Sequence, residues 1–332
     1  MVKIGVSLYG FSHKSNIKEN LIDISSIGFD TVVLAVSEND LKHFERNVSY
    51  SVRIAKERGL EVFIDLWGFG SSFGGEAASH FLAEHPESRQ VTNKGKYVPM
   101  ACLSNDLFRR YLLGAIKDLS KSRPNGFFFD EPHFFYDKLK GEYACLCGDC
   151  KKFFFKRNGR KIISKKDLWN NKNEIILETI SMLTKKADSF GIKSSVCIFP
   201  KERDNSYSWN DICKISSVDI FGVDPYWNDP YWKRFFQKKP EFAGKIAREV
   251  AKLSNINGKE SEIWIQAFGI PSRKESEIEK AVKSVLATDV DRIMFWTYKC
   301  GDGSSVSSEN PEKCWNAVLN SVKIIKKGEI KT

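Results

Sequence analysis

The chain has 332 residues, 42% hydrophobic and 13% aromatic, which is enough for a large core. Its formal net charge is +10, but lysines and arginines are spread among acidic residues with no dense basic block. A solvated basic surface is therefore expected, and nucleic acid is not the expected partner. No apolar stretch reaches the roughly 20 residues that span a bilayer, and MVKIGVSLYG runs into a strand rather than a signal peptide, so a soluble, cytoplasmic protein without a membrane partner is expected.

In chain order, short apolar runs alternate with longer amphipathic segments. KIGVSLY (3–9) precedes a helical segment ending on Gly28, and TVVLAVS (31–37) one ending on Gly59. EVFIDLW (61–67) opens a long connection containing GFGSSFGG (68–75). No helix opens on these glycines, so a loop is expected rather than a phosphate cradle. DLFRRYLLGAIKDLSKS then precedes GFFFDE (126–131). A second long connection leads to NEIILETISMLTKKADSFG, which stops on Gly191 before KSSVCIF (193–199). The short SWNDICKI separates that run from DIFGVDPY (219–226). A helix from Pro240 to Gly258 precedes EIWIQAF (262–268), and RIMFWTY (292–298) precedes a last helix starting at Pro311. These are proline-start and glycine-stop signals.

Most of the eight apolar runs are continuous rather than alternating, as in parallel strands covered on both faces. Eight strand–helix units predict an α/β fold, a single (β/α)8 TIM barrel over residues 1–332, with long loops after strands three and four at about 69–104 and 132–165. A doubly wound open sheet is the alternative. It wants a glycine-rich turn after the first strand, which YGFSHKSN does not supply.

Barrels carry their sites where the strands end. Those ends present Tyr9, Asp65, Trp67, Asp130, Glu131, His133, Asp224, Tyr226, Trp227, Gln266, Phe268, Trp296 and Tyr298. Carboxylates among flat amphipathic rings suit sugars, whose C–H faces stack and whose hydroxyls hydrogen-bond. A carbohydrate substrate is expected, with Tyr9, Asp65, Trp67, His133, Tyr226, Trp227, Gln266, Trp296 and Tyr298 as its contacts. In FFFDEPHFF (127–135) two carboxylates follow three phenylalanines. Apolar walls and a like charge favour one carboxyl keeping its proton, as an acid catalyst needs.

DEPH, residues 130–133, resembles the Asn-Glu-Pro-His signature of the clan A glycoside hydrolases, which are barrel enzymes. The resemblance implies Glu131 as general acid/base. Asp130 stands where that family has an asparagine contacting the substrate. CLCGDC supplies Cys145, Cys147 and Cys150, and Cys102 lies in the loop after strand three. Clustered cysteines argue for metal and scattered ones for packing. This arrangement resembles the zinc site of glycoside hydrolase family 42, the β-galactosidases. It implies a structural zinc held by Cys102, Cys145, Cys147 and Cys150, with no open position for catalysis. His133 and Asp149 are alternatives for the fourth ligand, and free thiols or a disulfide the alternative to metal. Cys197, Cys213, Cys300 and Cys314 read as packing.

Clan A places its nucleophile, a glutamate, at the end of strand seven, where IWIQAFGI has Gln266 or Ala267. Asp224, at the end of strand six, is one replacement. Barrels of the α-galactosidase type pair carboxylates at strands four and six, and that resemblance implies Asp130 as nucleophile and Asp224 as acid/base. Alternatively, Glu131 works with Asp224 or Asp65 through a water. A barrel that only binds sugar and a metal-dependent barrel enzyme are the other expectations. A homo-oligomer is left open.

Overall fold

The computed structural model describes residues 2–68, 78–204, 207–228 and 237–328. The loop expected at GFGSSFGG falls on 69–75, outside those residues. The strands are β1 (Lys3–Leu8), β2 (Thr31–Val36), β3 (Glu61–Leu66), β4 (Arg89–Val91), β5 (Tyr97–Ala101) and β6 (Gly126–Asp130). Then come β7 (Tyr136–Asp137), β8 (Glu142–Tyr143), β9 (Lys193–Ile198), β10 (Ile220–Val223), β11 (Glu260–Gln266) and β12 (Arg292–Trp296). Eight of them close a parallel barrel in the order β1-β12-β11-β10-β9-β6-β3-β2, one for each apolar run in the sequence. The predicted (β/α)8 barrel is the observed fold.

The helices are α1 (Lys14–Ile27), α2 (Glu38–Glu57), α3 (His80–Glu84), α4 (Asp106–Ser120) and α5 (Gly148–Asn158), followed by α6 (Lys165–Asp188), α7 (Trp209–Cys213), α8 (Phe242–Ile256), α9 (Glu277–Leu286) and α10 (Pro311–Lys327). Gly28 ends α1 at φ 99, a backbone conformation that costs glycine little. Ser37 starts α2 through a capping box with Asp40. Outward strand residues such as Val32, Phe127, Phe129 and Ile263 pack on this helical ring.

Inside the barrel the side chains form layers. Arg292, 0% exposed, closes the end where the strands begin: its guanidinium donates to Glu61 at 2.9 Å, Glu262 at 3.2 Å, Glu260 at 3.3 Å and Thr31 at 3.0 Å. Above it Val33, Phe63, Phe128, Cys197, Ile220, Trp264 and Met294 fill the interior. Phe63 fits because Gly126 lacks a Cβ, which would overlap the ring. The opposite end carries Asp65, Asp130, Asp224 and Trp296.

The long loops after the third and fourth barrel strands are built together. β4 pairs with β5, and β7 with β8. Thr92 bridges to Ala144, Leu146 donates to the Val91 carbonyl at 2.8 Å, and Thr92 donates to Glu142 at 2.8 Å. Gln90 ties the hairpin to the segment after Glu131, donating to Ala101 at 3.0 Å and accepting from Phe135 at 2.9 Å.

Candidate active site and metal centre

Inward positions on β3, β6 and β10 bring Asp65, Asp130 and Asp224 to one mouth, and Glu131 follows Asp130 at φ 43. A left-handed backbone at a non-glycine residue is strained and held by its surroundings. Here the Glu131 amide donates to the Cys197 carbonyl at 3.0 Å. The Glu131 carbonyl accepts from His133 Nδ1 at 2.5 Å, while the His133 ring lies 5.0 Å from that of Phe199.

Arg203 sits beside the acids. Its Nη1 is 4.0 Å from Glu131 Oε1 and 3.9 Å from Asp224 Oδ2, and its guanidinium lies 3.8 Å from the centre of the Phe199 ring. Sequence reasoning passed over this residue, which is one of 52 lysines and arginines. Its only signal is its place just beyond the end of a barrel strand.

Asp65 is 0% and Asp224 2% exposed, and neither carboxylate has a donor among the described residues. Burial, with Asp130 and Glu131 alongside, holds the Asp65 carboxyl well above the ordinary carboxylate range. Burial does the same for Asp224, helped by the Glu131 charge and opposed by Arg203. Glu131 is also the group placed to hydrogen-bond Asp224, a bond between two carboxyls that exists only with a proton between them. Asp130 is half-buried, and desolvation and Glu131 raise it against the pull of Arg203.

Two cavities meet at Glu131. The inner one, about 120 Å³, is lined by Asp130, Glu131, Arg203, Trp67, Phe128, Cys197, Tyr226, Trp264, Phe268 and Trp296. The outer one, about 330 Å³, is bordered by Glu131, Arg203, His133, Asp204, Lys172, Met100 and the rings of Phe134, Phe135, Tyr136, Trp169 and Phe199. Trp67 is held between Tyr9, stacked at 5.1 Å, and Trp296 at 5.7 Å.

Six residues expected at the mouth line neither cavity: Tyr9 behind Trp67, the buried Asp65 and Asp224, and Trp227, Tyr298 and Gln266. Trp227 is 1% exposed, and its indole donates to Glu277 at 2.9 Å. The Tyr298 hydroxyl donates to Asp23 at 2.6 Å, on the helical ring. Gln266 is 0% exposed and wholly engaged: it accepts from the Asn228 amide at 2.9 Å and donates to the Asn228 and Phe268 carbonyls at 2.8 and 3.0 Å.

Cys102, Cys145, Cys147 and Cys150 are buried with sulfurs all within 4.8 Å of one another, an arrangement that can hold a metal ion. Cys102 Sγ is 3.3 Å from Cys147 Sγ, 3.4 Å from Cys150 Sγ and 3.8 Å from Cys145 Sγ, too far for any disulfide. Four thiolates about 2.3 Å from a tetrahedral ion would be spaced about 3.8 Å apart, close to these separations. Cys145 Sγ accepts from the Val91 amide and Cys147 Sγ from the Cys150 amide, both at 3.4 Å, which favours thiolate. The alternative ligands are occupied, Asp149 by the Asn105 amide at 2.8 Å and His133 by the Glu131 carbonyl. Among the described residues no comparable cluster of metal ligands exists at the barrel mouth. No helix is long and apolar enough to cross a membrane among those residues.

No family model and no curated protein sequence matches the chain. Solved structures do. The β-galactosidase of the Antarctic haloarchaeon Halorubrum lacusprofundi superposes with a TM-score of 0.76 at 10% identity, over 98% of this chain and 58% of that one. The β-galactosidase of the psychrophilic Marinomonas ef1 gives 0.72 at 10% identity, over 98% and 60%. The endo-1,4-β-mannanase of Rhizomucor miehei gives 0.62 at 12% identity, over 98% and 95%. The chain thus spans about three-fifths of the β-galactosidases it matches. The resemblance first read in DEPH and the cysteines is borne out at the level of the fold: the neighbours of this barrel are glycoside hydrolases.

Proposed function

We propose that the protein is a glycoside hydrolase acting on an oligo- or polysaccharide, with Glu131 as general acid/base and Asp224 as second carboxylate. The observation that carries this is their placement: both lie about 4 Å from one Arg203 nitrogen, at a mouth walled by Trp67, Tyr226, Trp264 and Trp296. Cleavage of a glycosidic bond needs a protonated carboxyl beside the leaving oxygen and a second carboxylate facing the anomeric carbon. Two carboxyls at one mouth can divide these roles. The separation of the two carboxyls with sugar bound decides between attack by a carboxylate, which works at about 5–5.5 Å, and activation of a water, which needs about 6.5–9.5 Å. Asp130, on the same wall, is the alternative nucleophile. The inner cavity takes at most one sugar ring, against Trp67, Tyr226 and Trp296. His133 lies on the outer side, and Tyr9 backs Trp67.

The four cysteines are proposed to bind a structural zinc. Four thiolates close its coordination, so its contribution is to fix the paired loops beside Glu131. Metal analysis is expected to find one zinc per chain, lost in Cys147→Ser together with thermal stability.

Glu131→Gln and Asp224→Asn are each expected to lower turnover of aryl glycosides by about 10²–10⁴-fold while the circular dichroism stays unchanged. Normal hydrolysis by both variants would refute the assignment. Gln266, fixed in its buried bonds where a nucleophile is expected, favours a second reading, a barrel that binds sugar without cleaving it. Calorimetry showing sugar binding with no product from a broad glycoside panel would establish that reading.

A further inference from the structure

The outer cavity holds a charge that hydrolysis does not use. Lys172, on α6, is 3% exposed, and its ammonium lies 4.1 Å from the centre of the Trp169 ring and 5.8 Å from that of Phe134. It makes no hydrogen bond and no ion pair with any described residue. Asp204 faces it across the cavity without closing an ion pair, Cys145 and Cys150 lie within range of its charge, and Glu131, His133 and Arg203 share the wall. An ammonium has three donors and a charge to satisfy, and aromatic rings answer only part of that demand. A neutral hydroxyl supplies an acceptor without a charge. A carboxylate or sulfate supplies acceptors and charge together.

We propose that this cavity is a subsite for a sugar carrying an anionic substituent, a carboxylate or a sulfate, with Lys172 as its counter-ion. On the hydrolytic reading above, on which this assignment of sides rests, the sugar is the one on the leaving-group side of Glu131. Its ring lies against Trp169, Phe135 and Tyr136.

Calorimetric titration of the full chain with glucuronate, glucose 6-sulfate and glucose tests this. Wild type is expected to bind at least one acidic sugar about tenfold or more tightly than glucose. Which acid is preferred identifies the substituent. Lys172→Met is expected to lose that preference and Lys172→Arg to keep part of it. Equal affinity for glucose and both acids, or a preference that survives in Lys172→Met, overturns the proposal. So does a lower melting temperature with preference unchanged, which would make the lysine a structural cation on Trp169. The subsite stands and the hydrolase reading falls if acidic sugars bind through Lys172 and no glycoside is cleaved. Cleavage of neutral glycosides with no preference for acidic ones gives the reverse.

Discussion

At the end of the barrel where the strands begin, Arg292 is wholly buried and answers Glu61, Glu260 and Glu262 directly. At the end where they finish, Asp65 and Asp224 are as deeply buried and have no donor among the described residues, with Arg203 standing 3.9 Å from Asp224. The same residue types thus meet the same dry surroundings with opposite outcomes. A buried charge with its partner built in closes the barrel. A buried carboxyl without one has its pKa raised until something else engages it. The difference shows that burial alone does not mark a functional carboxylate; burial without a partner does.

The largest effect should come from unpairing the closed end. Arg292→Met leaves Glu262, 2% exposed, without its counter-charge, and urea unfolding should report a loss of about 3–5 kcal/mol. A loss under about 1 kcal/mol would mean that this end is no better satisfied than the other. At the open end the sign reverses. Asp224→Asn should gain about 0.5–2 kcal/mol at neutral pH while lowering turnover by about 10²–10⁴-fold, as expected where a site holds strain for function. A destabilised variant would show that Asp224 has a structural partner.

The smallest effect is one of pH. The folded state holds the Asp65 carboxyl above its ordinary 3.8, so it binds that proton more tightly than the unfolded chain does. The stability this group contributes is full below the unfolded value and is lost as pH rises through the folded one. Asp65→Asn removes the loss, so its melting temperature should pull ahead of wild type by a few degrees as pH rises above about 4. A gap that stays constant with pH would remove Asp65 from the set of raised acids.

The barrel was legible because each strand is a nearly unbroken apolar run, which survives whatever the loops do. Three helices, α3, α5 and α9, were not. α9 follows Ser276, whose side chain makes no capping bond, and runs out at Ala287 rather than at a glycine. α5 is capped by the Cys147 sulfur rather than by a hydroxyl or carboxylate. At the site, carboxylates at strand ends could be read from position alone, and so could the four cysteines. Arg203 could not, because nothing local distinguishes it from a surface arginine. Trp227 and Tyr298 misled for the converse reason. An aromatic just past a strand end can turn outward as readily as inward, and Glu277 and Asp23 decide which.

Gln266 bears on reversibility. Its amide nitrogen donates to two carbonyl oxygens, of Asn228 and Phe268, and its oxygen accepts from the Asn228 amide. A glutamate placed there would turn an anionic oxygen toward both carbonyls in a site with no water to screen it. The seventh strand therefore does not accept a carboxylate at this position by one exchange without cost. The loop at Asn228 would have to be rebuilt first, and each step alone costs stability. Glutamine works here as a latch that commits the chain to whatever the remaining carboxylates can do.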